Sequence, residues 1–378
     1  MKKSGFSLGA VLFIYIVAFG YVGFYSAKCA DDYFGGHFLL SLMVVCASLV
    51  VGFFLHIIIH EFGHLVFGTL TGHRFKSFRI FNLMWQRDSD GKIRLYRYKL
   101  AGTGGQCLLQ PPPLKDGDMP YVLYNLGGVI FNFLLAALGM LASVVWSQIA
   151  VVAVFGRMLF VLGMMMGLEN LLPLPGIAND GGNLLALTKS KEARQSLWVQ
   201  MMGIVKISEG TRIKDFPDEW FRMPNDEQLQ NRMEAVMAVY VCDRLIDQHQ
   251  FAQAQETIDS LLERDTALIS VHLNLLRGDA LFCELVGDGN AKKIEAYVTN
   301  GLTAFWKTMS TSPEVLKVRY AYEKLYQKNE QEAANVLAAF EKVADTYPYP
   351  CQIAADRELL AMVDEKASAE TNDNQTAH

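Results

Sequence analysis

Cysteine is sparse and scattered in this 378-residue chain: Cys29, Cys46, Cys107, Cys242, Cys283 and Cys351 form no CxxC pair. That excludes a cysteine zinc site and gives no disulfide framework; reduced thiols in or facing a cytoplasm are the plainer reading. Charge is thin too, at 19% of residues against 51% hydrophobic. Mean hydropathy is positive, high for a purely soluble protein and low for one that is membrane throughout. The charges are also unevenly placed. Residues 1–207 carry 17 Lys/Arg and 10 Asp/Glu, whereas residues 208–378 carry 17 and 29. A net negative second half argues against a nucleic-acid partner. The length leaves room for two domains in different settings.

Four apolar stretches stand out, near residues 6–25, 38–70, 121–146 and from 156 into ENLLPLPG. The first is long enough to cross about 30 Å of hydrocarbon and has no A-x-A cleavage site after it, so it reads as a retained helix. Loop charge predicts orientation. Residues 71–120 hold nine Lys/Arg against four Asp, residues 27–37 hold one Lys and two Asp, and residues 147–155 hold none. Cationic loops stay inside, which predicts cytoplasmic N- and C-termini. Within 71–120, RIFNLMWQ, DSDG and KIRLYRYKL predict a β-hairpin on an Asp-Gly turn, with GTGGQCLLQ as a further strand. The hairpin is either an ordinary cytoplasmic one or re-entrant under a protein or water cover.

The second stretch contains HEFGH, residues 60–64. On a helix, His60 and His64 project from one side, which suits one zinc ion, with Glu61 as general base for a bound water. Ionisable groups in hydrocarbon are expensive and point to function. Ten residues from the helix exit corresponds to a depth of about 15 Å. A hydrolytic zinc site needs a third protein ligand and an open position. The fourth stretch ends NLLPLPGIANDGG, residues 170–182. Alone, Asp180 before Gly181-Gly182 reads as a turn or a helix cap. With HEFGH in the same chain, it reads as the third ligand.

These paired motifs resemble the site-2 protease family of intramembrane zinc metalloproteases, over about residues 38–190. The resemblance implies zinc ligands at His60, His64 and Asp180, an acid/base at Glu61, and one zinc per chain. It also implies that Asn170 helps bind the substrate backbone or the oxyanion. YNLGGVIFNFLLA, with Asn132, looks like the family's Gly-rich helix, where small residues permit tight packing; Asn132 joins Asn170 as a candidate for substrate or oxyanion contact. Two departures stand out. Asn170 and Asp180 are ten positions apart, where the commoner NLLPxPxLDG pattern has eight, and no PDZ-like β-domain is present. The expected location is a bacterial plasma membrane.

Four further residues are candidates for supporting roles. His56 shares the face of His60; as a fourth ligand it would close the site to water, so support or packing is expected. Glu169 either tunes the site or faces a polar cavity. His73 is expected at the membrane interface, and Arg157 at the outer end of the fourth helix.

Residues 183–206 predict one amphipathic helix lying at the inner surface, closing a membrane domain over 1–206. A linker at 207–225 follows. Helices are then predicted near 226–247, 250–263, 267–286, 291–308, 313–328, 330–346 and 351–366, with residues 367–378 a disordered tail. FAQAQETIDSLLERD and NEQEAANVLAAFEKVADTYP are mutually similar, which resembles degenerate tetratricopeptide-like hairpins; an irregular bundle is the alternative. The expected fold is mainly α: a polytopic membrane domain of about four spans with a β-hairpin loop, then a soluble all-α domain. The expected function is an intramembrane zinc endopeptidase acting on a membrane-embedded protein or peptide, with the lipid bilayer as its medium and a possible protein partner on the helical domain. The rival is a non-proteolytic membrane scaffold or peptide receptor keeping a relic metal site, against which the intact Glu61 speaks. A transporter fits less well, because four spans without repeat symmetry lack the usual plan.

Overall fold

The computed structural model describes residues 30–98, 103–173 and 178–376, with isolated positions between 13 and 28. The expected first span therefore lies almost entirely outside the described residues. The described chain is mainly helical, with a small antiparallel β component. It divides into two units, one of residues 1–80, 104–112 and 120–189, and the other of residues 81–103, 113–119 and 190–378.

The first unit is built on α1 (Phe38–Leu70), α2 (Val122–Val145) and α3 (Ala150–Leu171), each long and apolar enough to cross a membrane. The three pack on one another, and the large apolar side chains of their outer faces, such as Phe38, Met43, Phe54, Leu138 and Val144, are exposed. A soluble helix would bury that face; these helices keep their polar residues inside and turn their apolar ones out. At 33 residues α1 is about 50 Å long, well beyond the thickness of the hydrocarbon. Glycine sets the spacing where α1 crosses α2. A Cβ on Gly63 would stand 2.2 Å from the Gly127 carbonyl oxygen, and one on Gly127 would stand 2.4 Å from that of Gly63. Only hydrogen fits on either side.

Strands β1 (Arg74–Ile80) and β4 (Gly105–Gln110) also belong to this unit and pair antiparallel, from Arg74 opposite Gln110 to Ile80 opposite Gly105. β1 was not anticipated: the expected strand from Arg79 through Gln86 is broken by Phe81, which sits at φ 53°. The fourth apolar stretch also departs from expectation. Its helix starts at Ala150, six residues early, and ends at Leu171 because Pro173 cannot continue the hydrogen-bond ladder. A separate helix, α4 (Asp180–Lys189), then begins and packs on α2 and α3. Arg157 lies within α3 rather than at its end, and its guanidinium bonds Tyr33 Oη at 3.2 Å.

In the second unit, β2 (Leu83–Arg87) and β3 (Ile93–Arg97) form the expected hairpin over Asp88–Lys92, with Gly91 at φ 80°. The Asp88 carboxylate accepts from Arg94 at 2.6 Å and from Tyr96 Oη at 2.8 Å. The amphipathic stretch 183–206 is not one helix. It breaks at Ser190, whose hydroxyl accepts from the Ala193 N–H and starts α5 (Lys191–Ser208) afresh. The remainder is α6 (Arg232–Asp247), α7 (Phe251–Leu262), α8 (Ser270–Val286), α9 (Ala291–Tyr297), α10 (Asn300–Thr308), α11 (Pro313–Ala321), α12 (Glu330–Ala344) and α13 (Pro350–Thr376). Side-chain caps at Asn231, Asn290, Thr299 and Asn329 fix four of the starts. Leu276, Phe282 and Phe340 lie at the centre of its core. The expected tail at 367–378 is helical through Thr376, and the Lys328–Glu370 pair ties this end of α13 back to an earlier part of the unit.

Candidate metal centre

HEFGH lies in the last third of α1, where the i, i+4 spacing brings the His60 and His64 rings together with centroids 4.8 Å apart. Asp180 is the first residue of α4. Its approach depends on Gly181, where a Cβ would stand 1.8 Å from the Leu171 carbonyl oxygen. No other residue lets the start of α4 lie so close to the end of α3. Asn179 secures the same joint. Its Nδ2 donates to the carbonyls of Glu169 at 2.7 Å and Leu172 at 2.6 Å, and its Oδ1 accepts from the Gly182 N–H at 2.9 Å.

Three atoms then meet. His60 Nε2 is 3.2 Å from His64 Nε2, and Asp180 Oδ2 is 3.2 Å from the first and 3.4 Å from the second. All three residues are buried or nearly so, and Asp180 Oδ2 makes no hydrogen bond. The far sides of the two rings decide what this triangle can hold. His64 Nδ1 is 2.7 Å from the Tyr124 carbonyl oxygen, which only accepts, so Nδ1 bears the hydrogen and Nε2 keeps its lone pair.

His60 is held through a longer chain. Asn132 is fully buried, with Nδ2 3.1 Å from His60 Nδ1 and Oδ1 3.1 Å from His56 Nδ1. His56 Nε2 is 2.9 Å from the Leu159 carbonyl oxygen, so it too must donate. In that amide orientation His56 would have to be doubly protonated in an apolar interior, a costly state. The nitrogen and oxygen of a carboxamide share one shape, and the network decides between them. With the nitrogen toward His56, every group is matched. His56 donates to Leu159, Asn132 donates to His56, and His60 Nδ1–H donates to the Asn132 oxygen. His60 Nε2 then keeps its lone pair as well.

With both rings neutral, three electron-rich atoms face one another, an arrangement that a cation relieves. The edges also have the right length. Tetrahedral ligands at zinc–nitrogen distances of 2.0–2.1 Å stand about 3.3 Å apart. Two imidazole nitrogens and one carboxylate oxygen, with a fourth position left over, fit zinc, and the anchored Nδ1 atoms are the usual support for such ligands.

Glu61 sits next to His60, and β4 runs against it: a Cβ on Gly105 would stand 2.6 Å from Glu61 Oε1. Arg79, on β1, is fully buried, donates to the Gly105 carbonyl at 3.3 Å and is within electrostatic reach of Glu61. Asn170 lies at the end of α3 beside Gly181, where a Cβ would stand 3.1 Å from the Asn170 carbonyl oxygen. Its Nδ2 bonds back to the Met166 carbonyl of its own helix at 3.0 Å. Asn132 and His56 both sit behind the His60 ring, and Glu169 joins the arrangement through its backbone carbonyl. His73, three residues past the end of α1, is buried with its ring stacked on Tyr124, centroids 5.2 Å apart.

Sequence reasoning missed Tyr124, Arg79 and Asn179. Tyr124 acts through its backbone and leaves no side-chain signal. Asn179 before Asp-Gly-Gly is a recognisable helix N-cap. Compared with known proteins, the chain matches no family model, no curated protein and no solved structure.

Proposed function

We propose that this chain is an intramembrane zinc endopeptidase of the site-2 protease type, hydrolysing peptide bonds in transmembrane or signal-peptide segments near the cytoplasmic face. One observation carries the reading: the lone-pair triangle of His60, His64 and Asp180 inside a unit whose helices turn apolar side chains outward. Zinc bound there supplies Lewis acidity toward the scissile carbonyl and makes water a nucleophile near neutral pH. Glu61 takes the proton from the attacking water and delivers it to the departing amide nitrogen. His56, Asn132 and the Tyr124 carbonyl hold the two imidazoles in the tautomer that binds metal.

A substrate helix must unwind before its backbone can be reached. Among the described residues β4 pairs with β1 alone, so its second edge is available. An unwound substrate adds there as a strand, beside Glu61. The cationic 71–120 loop supports a cytoplasmic position for this strand and for both termini. The acidic helical unit recruits or gates substrate from the same side. Release of a membrane-tethered regulator and maturation of a signalling peptide are both served by this chemistry.

The test pairs metal analysis with cleavage of a reporter substrate spanning the membrane. The purified chain should hold about one zinc, and Asp180→Ala should lose most of it. Glu61→Gln should keep the zinc, lower cleavage by about 10²–10⁴-fold, and leave the cytoplasmic fragment unreleased. Equal zinc in the wild type and Asp180→Ala, or full activity in Glu61→Gln, would sink the proposal.

A further inference from the structure

The helical unit contains a second group of acidic side chains, distant in sequence from the centre described above. Asp243 on α6, Asp279 on α8 and Glu314 in the first turn of α11 each present a carboxylate oxygen, all within 4.8 Å of one another. Asp279 is 3% exposed, and its Oδ2 is buried with no hydrogen-bond partner. Lys317 is the cation whose charge acts on all three, and its Nζ also bonds Asp356 at 3.0 Å, which sets one ammonium against four carboxylates. Asp279 and Glu314, though not Asp243, also line a partly open cavity of about 10 Å³ together with Gly278, Trp306 and Val318. That is room for one water-sized particle and nothing larger.

One buried and two half-buried carboxylates from three helices cannot all ionise side by side without compensation. Burial, with the charges of Glu314 and Asp356 beside it, pushes the Asp279 carboxyl upward. The cluster must hold either protons or a cation. The bare oxygen and the small cavity beside it favour the cation. The donors are all carboxylate oxygens, which select hard ions over zinc or copper. At metal–oxygen bonds of about 2.4 Å, ligand oxygens at right angles stand about 3.4 Å apart, so the three oxygens, within 4.8 Å of one another, reach one ion by drawing together through side-chain rotation.

We propose that Asp243, Asp279 and Glu314 form a site for a hard divalent cation of the calcium, manganese or magnesium class, tying α6, α8 and α11 together. It is independent of the proposed zinc centre, and either can fail without the other.

The test uses the full chain with His60→Ala and His64→Ala, so that the first centre cannot contribute. Metal-free protein is titrated with Mn²⁺ and the free ion is followed by electron paramagnetic resonance. The proposal expects one Mn²⁺ bound per chain, displaced by excess Ca²⁺ or Mg²⁺. It further expects a thermal midpoint about 5–10 °C higher at a hundredfold excess of ion over Kd. Asp279→Asn and Glu314→Gln, nearly isosteric changes that remove buried charge, should each lose the binding and the shift while melting as folded proteins. A folded parent chain that takes up no Mn²⁺ would assign protons to the cluster and overturn the site. So would uptake that survives in both folded variants. Should either variant fail to fold, the parent's stoichiometry and midpoint shift still decide.

Discussion

Asn132 has the clearest single-residue role. The sequence suggests an oxyanion or substrate contact for it, yet its carboxamide stands behind His60, between that ring and His56. Replacing it removes a support and leaves the ligands in place. Asn132→Ala should therefore weaken zinc binding by about 10–100-fold, read by competition with a chelator, with helix content unchanged. Zinc affinity equal to wild type would mean that His60 is fixed by packing alone. That His60, His64 and Asp180 would meet was legible because the i, i+4 histidines and the carboxylate before paired glycines are side-chain signals carried in the chain itself. Their supports were less so. The Tyr124 carbonyl has no sequence signature, and the relay through His56 becomes visible only once Leu159 is known to lie beside it.

Among the elements, the α1–α2 crossing sets the site. A Cβ on Gly128 would stand 2.5–2.6 Å from three atoms of the His60 ring. Gly128→Ala should displace that ring and cut zinc occupancy sharply, while circular dichroism still reports the same helix content; retained zinc would count against so tight a crossing. The β component offers a second prediction. The strand against Glu61 is β4. A proline scan through Gly105–Gln110 should depress cleavage at alternate positions, those whose N–H points away from β1. An effect at every position, or at none, would remove strand addition from the mechanism. Helix content in the second unit was well anticipated because apolar spacing and Asn or Thr caps are local features. The break at Ser190 and the extension of α13 were not. The first is a single capping hydroxyl inside a good amphipathic pattern, and the second is tied to Lys328, far back in the chain.

On the scale of the whole molecule, composition already separated an apolar cationic half from an acidic helical one, and both were found. It could not show that the chain between α1 and α2 is shared: β1 and β4 belong to the first unit, and the β2–β3 hairpin to the second. That division depends on contacts far apart in sequence, which charge counts and periodicity do not register. The Asn179 joint carries a last consequence. Asp180 is held by backbone bonds that involve no metal, and the two histidines are anchored on their far sides. These anchors predict a socket that keeps its shape without the ion, unlike domains whose metal binding is their folding. Chelation should strip the zinc and abolish cleavage without lowering helix content, and added zinc should restore activity within the mixing time rather than on the timescale of refolding. A large loss of ellipticity on chelation would contradict this. If the proposed centre can be emptied and refilled in a folded chain, the protein can persist in an inactive form, and zinc supply can act as an on-switch.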